Sequence, residues 1–248
     1  MSNKYITGLA DQDYKELSPG GLENFRRNYD IHDIALGLDL GQSKDYSALS
    51  IVRRTIRADD HRSGMVTPDE IKYLPPIYNL IYTKRFRLHT SYVDICRDIK
   101  GMLNEQWPGE MLKPYLVLDY GGPGRAVLDI FREEGLSPIG IHSTGGDRMH
   151  WIPGGYSVPK RDLVGVLQAT LQRGELKIPK TLPEKKILLA ELANFKIKIT
   201  DKGNDTYEHA KSGDHDDMVM SLALAVYWLY LLRQTPTKQH SMIRKLTG

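Results

Sequence analysis

The sequence predicts an α/β protein on a mixed central sheet, three antiparallel strands followed by parallel ones, with helices on both faces. Three β-rich runs follow one another before any helical spacing begins. After Thr90 the pattern changes to alternating helix and strand, the grammar of a parallel half-sheet. The chain then closes on a helix that is apolar nearly all round, which suits only a buried position. With 248 residues, 40% of them hydrophobic, it is long enough to bury such a core.

Residues 1–30 carry scattered charges and the turn sequence SPGG, without periodicity, and read as an extension or linker. The domain proper is expected over residues 31–235. IALGLDLG (Ile34 to Gly41) and YSALSIVRR (Tyr46 to Arg54) are strands joined by a short polar turn, hence a hairpin. A polar stretch from Arg57 to Pro76 reads as a long exposed loop before a third strand, Pro76 to Leu88. Tyr92, Val93, Cys96, Ile99, Met102 and Leu103 recur at helical spacing, predicting a helix from Thr90 to about Gln106. A buried strand follows at Tyr115 to Asp119, then a Gly-rich turn, a helix over Pro123 to Glu134 and a strand over Ser137 to Thr144. Beyond a Gly-rich loop lie a helix from Pro159 to about Arg173 and a helical stretch from Glu184. Asn194 to Ala210 alternates around Gly203 as a hairpin, and GDHDDMVMSLALAVYWLYLL is the closing helix, whose Tyr227, Trp228 and Tyr230 read as core. The tail, residues 236–248, is basic, without an acid, and reads as a solvated end.

With 34 Lys+Arg against 31 Asp+Glu, the formal charge of +3 argues against a protein that coats DNA by sheer charge, so any nucleic-acid site is a local basic surface. A single cysteine, Cys96, excludes an internal disulfide framework and a Cys-rich zinc site and suits an intracellular setting. The longest apolar stretch, Met218 to Leu232, is too short for a bilayer, and the N-terminus has no apolar signal core. No membrane association is expected.

Asp39 is the most informative residue, because it lies inside an apolar run where an isolated carboxylate would cost several kcal/mol to bury. Its bland alternative is a cap on the turn at Gly41 to Asp45. Asp119 ends the apolar strand LVLD, where open α/β sheets place their sites, and its alternative is an Asx turn. The acids of GDHDD head the last helix, where carboxylates commonly complement the helix dipole. As a set they say more. Several carboxylates without matched cations repel one another unless divalent ions neutralise them. Mg²⁺ or Mn²⁺ suits oxygen-only ligands, and two such ions roughly 4 Å apart support phosphodiester cleavage, which predicts a metal-dependent nuclease.

Lys44, Arg125, Lys160, Arg161 and Lys211 are candidate phosphate contacts, with ordinary surface charge as the alternative for each. His142, His209 and His215 are alternative ligands that an oxygen-only site does not require. Ser143, Ser157 and Cys96 lack the signature of a covalent nucleophile.

Four motifs in order, GLDLGQSKDYSALSIV, YLVLDYGGPGRAVLDIF, VPKRDLVGVLQATLQRGELKIP and TYEHAKSGDHDDMVMSLALAVY, resemble the nuclease domain of bacteriophage large terminase subunits. The likeness covers about Ile31 to Leu232. It implies a ribonuclease H-like, or retroviral integrase-like, fold and cleavage of concatemeric double-stranded DNA during packaging. The family's first-strand acid corresponds to Asp39, its later strand-end acid to Asp119 and its last-helix acids to Asp216 and Asp217. Asp45 matches an additional acid of some members. Of the adjacent pair, Asp217 is expected to be the direct ligand, because the small Ser221 one turn on leaves more room than Met220 does after Asp216. The expected catalytic set is therefore Asp39, Asp119 and Asp217, with Asp216 and Asp45 as further metal ligands.

The resemblance also implies a phage or prophage protein in the cytoplasm of a bacterial host, working with a small terminase subunit and a portal. Large terminases carry a packaging ATPase as well. This sequence has no GxxxxGK[ST] loop and no room for that domain in its first 30 residues, so cleavage without translocation is expected, from a separated nuclease domain, a prophage fragment, or a protein that works with an ATPase made elsewhere. Three alternatives stand beside this reading. LGLDLGQSKDYSAL also resembles the first phosphate loop of actin-like and sugar-kinase-like ATPases, junction resolvases share the acid set, and a prophage remnant would keep the fold as an assembly partner without turnover.

Overall fold

The structure, a computed structural model, describes residues 31–41, 45–57, 72–104, 114–201 and 215–234. Their strands join in one eight-stranded sheet of order β6-β7-β5-β4-β1-β2-β3-β8. β1 (Ile31–Asp39), β2 (Ala48–Ile56) and β3 (Ile77–Arg85) are successively antiparallel, as the three β-rich runs predict. Helix α1 (Tyr92–Asn104) crosses over to β4 (Tyr115–Asp119), which lies parallel to β1. Helix α2 (Ala126–Glu133) then leads to β5 (Ile139–Thr144), parallel to β4. This is the mixed sheet expected of a ribonuclease H-like fold.

Period-two alternation sorts the side chains of β1 and β4 onto two cores. Ile34, Leu36, Leu38, Leu116 and Leu118 pack on α1 and α2 through Ile95, Ile99, Val127 and Phe131. Ala35, Tyr115 and Val117 face the opposite side, where α3 (Lys160–Gln172) and the last helix, α5 (Asp217–Gln234), cover the sheet. Between them in sequence, α4 (Lys185–Asp201) packs against α5. From Met218 to Leu229 every side chain of α5 is buried, which accounts for a helix without a polar face.

At Gly37, α5 lies directly on the sheet. A Cβ there would collide with the Ser221 carbonyl oxygen and lie 2.7 Å from the Ala225 nitrogen, so only glycine admits the helix. Ser50, the register partner of Gly37 on β2, lies 2.8 Å from the Ser221 hydroxyl. Farther along, the buried Arg54 pairs with Asp33 of β1 and donates to the Leu229 carbonyl, tying the second half of α5 to the same strands.

Several expectations are corrected. The Gly-rich loop before α3 contains a hairpin, β6 (His150–Ile152) and β7 (Gly155–Pro159), and β7 extends the sheet parallel to β5. β8 (Leu176–Lys177) adds two residues beside β3. β6 and β8 carry too few residues for a periodic signal, and β7 is bounded by Gly155 and Pro159, which read as loop. Asn194 to Asp201 is not the first arm of a hairpin but continues α4, because Leu188, Leu192 and Phe195 recur at helical spacing toward the core under α5. Asp39 terminates β1 and does not lie within it. The extension, the middle of the β2–β3 loop and the basic tail fall outside the described residues. Among the described residues no helix is long and apolar enough to cross a membrane. Cys96 is a buried free thiol in α1.

Candidate active site

One register row crosses four strands: Arg85 of β3 pairs with Ala48 of β2, Ala48 with Asp39 of β1, and Asp39 with Asp119 of β4. Register partners share a face, and Ala48 belongs to the core beneath α5, so Arg85, Asp39 and Asp119 all rise on the side that α5 covers. Ser221 sits over Gly37. Two residues along β1, about 6.6 Å on, is Asp39, and one turn back along α5, about 5.4 Å, is Asp217. The start of the helix therefore overhangs the strand-end acids. Asp39 reflects this crowding, for its carboxyl is held well above the ordinary value, first by burial and then by Asp119, Asp217 and Asp216, with Lys160 opposing.

Asp119 is aimed by its neighbours. The Gly121 N–H donates to Oδ1 at 2.8 Å and the Ser143 hydroxyl to Oδ2 at 2.5 Å. The Asx-turn alternative is thus present as well, and it orients the carboxylate. A side chain at residue 121 would crowd His142 at 3.1 Å and Asp119 Oδ1 at 3.2 Å.

The adjacent acids differ sharply. Asp217 is 6% exposed, and its buried Oδ2 accepts no hydrogen bond among the described residues, with His215 Nδ1 at 3.7 Å. Its carboxyl is raised to about 6, mainly by burial; Asp216 and Asp45 push the same way, Arg85 and His215 against. Asp216 is half-exposed and pairs with Lys160 Nζ at 3.0 Å. Asp45 is exposed beside this end of the site. The expected reason for preferring Asp217 is corrected: Ser221 does not leave space for an ion but is packed against Gly37 and hydrogen-bonded to Ser50.

Among the described residues no three His, Cys, Asp or Glu side chains form a finished metal-binding group. The donor set nevertheless fits a hard divalent cation in kind. Its ligands are carboxylate oxygens, they crowd Asp39, and one buried oxygen of Asp217 accepts no hydrogen bond among the described residues.

Of the expected phosphate contacts, Lys160 lies within the acid cluster, on Asp216 and near Asp39. Arg161 turns away to Asp147, donating to its carbonyl at 3.1 Å and Oδ1 at 3.2 Å. Arg125 is exposed just before α2, on the side of Tyr120. Lys44, Lys211 and His209 lie outside the described residues. His142 faces the other side of the sheet, with its ring 5.7 Å from that of Tyr120.

Sequence reasoning missed three residues here. Ser143 lies two positions from Ile141, which pairs with Asp119, so strand parity returns it to the acid face. Arg85 joins the row only through register. Glu191 of α4, 7% exposed, accepts N–H groups of Met218 at 2.9 Å and Val219 at 3.2 Å and forms an ion pair with Arg85. Burial lifts its carboxyl to about 7 against the pull of Arg85 and of those N–H groups. A Glu on an amphipathic helix reads as surface charge, so only the packing of α4 on α5 exposes this role.

No family model matches the chain. Curated relatives are the terminase large subunits of Thermus phage G20c, 26% identical over 199 residues, and of Thermus virus P23-45, 26% identical over 196 residues. Each alignment takes in 78% of this chain and 31% of the relative, so the chain spans about a third of their length. Among solved structures, the large terminase nuclease from thermophilic phage G20c superposes with a TM-score of 0.43 at 21% identity, covering 78% of this chain and 81% of that one. The resemblance read from the four motifs is borne out by the curated relatives.

Proposed function

We propose that this chain is a divalent-metal-dependent endodeoxyribonuclease of the large-terminase kind, cutting concatemeric double-stranded phage DNA during packaging by two-metal phosphodiester hydrolysis. The observation that carries this reading is the pairing of Asp39 with Asp119 beneath a buried carboxylate oxygen of Asp217 that accepts no hydrogen bond among the described residues. Asp39, Asp119 and Asp217 would hold Mg²⁺ or Mn²⁺, with Asp216 and Asp45 at the rim. Such ions, when bound, neutralise the carboxylates and supply Lewis acidity for the attacking water and the leaving oxygen.

The chain's own groups do the positioning. Gly121 N–H and the Ser143 hydroxyl fix the orientation of the Asp119 carboxylate. Lys160, paired with Asp216 beside the cluster, would meet a phosphate entering the site, and Arg125, Lys44, Lys211 and, on release from Asp147, Arg161 would add backbone contacts that position DNA without reading its sequence. Residues 31–235 would form the nuclease domain, between an N-terminal extension and a basic tail. Its partners would be a packaging ATPase, a small terminase subunit and a portal in the cytoplasm of a bacterial host, with the gene carried by a phage or prophage.

The test is conversion of supercoiled plasmid by the purified chain. Nicking or cutting with Mg²⁺ or Mn²⁺ and none in EDTA is expected, and undiminished cutting in excess EDTA would overturn the metal mechanism.

A further inference from the structure

We propose that Glu191, held by Arg85, is a positioning residue that sets Asp217 over the strand-end acids. The proposal rests on the nuclease reading above and adds the device that places its third carboxylate.

The first N–H groups of a helix have no partner within it, and an adjacent Ser, Thr, Asp or Asn usually receives them. α5 is capped differently. The N–H groups of Met218 and Val219, next after Asp217, go to one carboxylate oxygen of Glu191, brought in by another helix. A buried carboxylate is a costly cap that requires a counter-ion, and Arg85 supplies it from the last residue of β3. Arg85 lies in the same register row as Asp39 and Asp119. The Arg85–Glu191 pair thus ties the first turn of α5 to the row that carries the other two acids, where a local cap would tie it only to itself.

The remaining contacts close a ring around Asp217. The Arg85 guanidinium lies 4.6 Å from the Tyr46 ring centre, Tyr46 meets His215 edge to face at 5.0 Å, and His215 Nδ1 is 3.7 Å from Asp217 Oδ2. With Ser221 seated on Gly37 one turn later, the helix is held at two successive turns. Both the rise and the rotation of Asp217 are then determined.

The experiment uses the full chain with Glu191→Gln, Glu191→Ala and Arg85→Met, and measures Mn²⁺ binding without DNA by the loss of the free Mn²⁺ spin-resonance signal. Plasmid cleavage across a Mn²⁺ titration and thermal unfolding accompany it. Glu191→Ala and Arg85→Met should weaken Mn²⁺ binding about tenfold or more, as supporting partners of ligands do. Cleavage should recover in part at high Mn²⁺, with KM for DNA unchanged. Glu191→Gln should be intermediate, because its amide oxygen still accepts an N–H group, and it decides the matter if the other two do not fold. Wild-type Mn²⁺ affinity in a folded Glu191→Gln and Glu191→Ala overturns the proposal. Weakened Mn²⁺ binding in the variants of a wild type that binds Mn²⁺ but cuts no DNA would uphold the positioning role and sink the nuclease reading. Failure of the wild type to bind Mn²⁺ overturns both.

Discussion

Asp39 and Asp119 are register partners at the C-terminal ends of adjacent parallel strands, with backbones about 4.8 Å apart and side chains on the same face. Two carboxylates so placed repel each other, and the start of α5 brings a third and a fourth above them. The sheet holds the acids together at an electrostatic cost that a divalent cation would relieve.

Asp39→Asn and Asp119→Asn should therefore reduce plasmid cleavage by at least about 100-fold without unfolding the protein. Asp39→Asn relieves repulsion and should raise the melting temperature in EDTA. Asp119→Asn should be near neutral, because an amide oxygen still accepts one of the two hydrogen bonds from Gly121 and Ser143. Circular dichroism and the plasmid assay check both. Wild-type cutting by either variant would make that residue structural.

Asp217→Ala should lose more cleavage than Asp216→Ala and be poorly rescued by added Mn²⁺. Asp217 is buried, with one oxygen that accepts no hydrogen bond among the described residues, whereas Asp216 is half-exposed and engaged with Lys160. Rates measured for both across a Mn²⁺ titration decide between them, and an active Asp217→Ala beside an inactive Asp216→Ala would reverse the assignment.

Gly37→Ala places a methyl group against the Ser221 carbonyl and forces α5 away from β1. Overpacking of this kind costs about 1–3 kcal/mol, to be read by denaturant unfolding. The same displacement lifts Asp217 from Asp39, so cleavage should fall more than the lost stability explains.

In EDTA the fold should become less stable as pH rises from about 4 to about 7. Asp39, Asp217 and Glu191 all have carboxyls raised in the folded state, chiefly by burial. Through that window the folded chain binds more protons than the unfolded one, so stability is full below the unfolded values and is lost as each group ionises. Melting temperatures across the window test this. Asp39→Asn should flatten the slope, and a rising or level wild-type profile would contradict it.

The main strands and helices were legible because their signals are local. Short β-rich apolar runs mark β1 to β5, helical spacing marks α1 to α3, and an all-apolar helix announces α5. Asp39 and Asp119 stand out by the same logic, as charges at the ends of apolar runs. The misreadings fall where local signals are short or shared. β6, β7 and β8 hold three, five and two residues. Phe195, Ile197 and Ile199 alternate like a strand, yet Phe195 also completes the buried stripe of α4 begun by Leu188 and Leu192.

What the sequence by itself determined is the identity of the acids and the order of the elements that carry them, since a carboxylate in an apolar run is conspicuous without any knowledge of its neighbours. Tertiary structure alone decided which groups stand beside them. Strand register aligned Arg85 with Asp39 and Asp119, strand parity turned Ser143 toward Asp119 and His142 away, and the packing of α4 on α5 brought Glu191 to the N–H groups that follow Asp217. These relationships join residues distant in the chain, and their geometry is set by how sheet and helices pack together, which no local pattern of residues records.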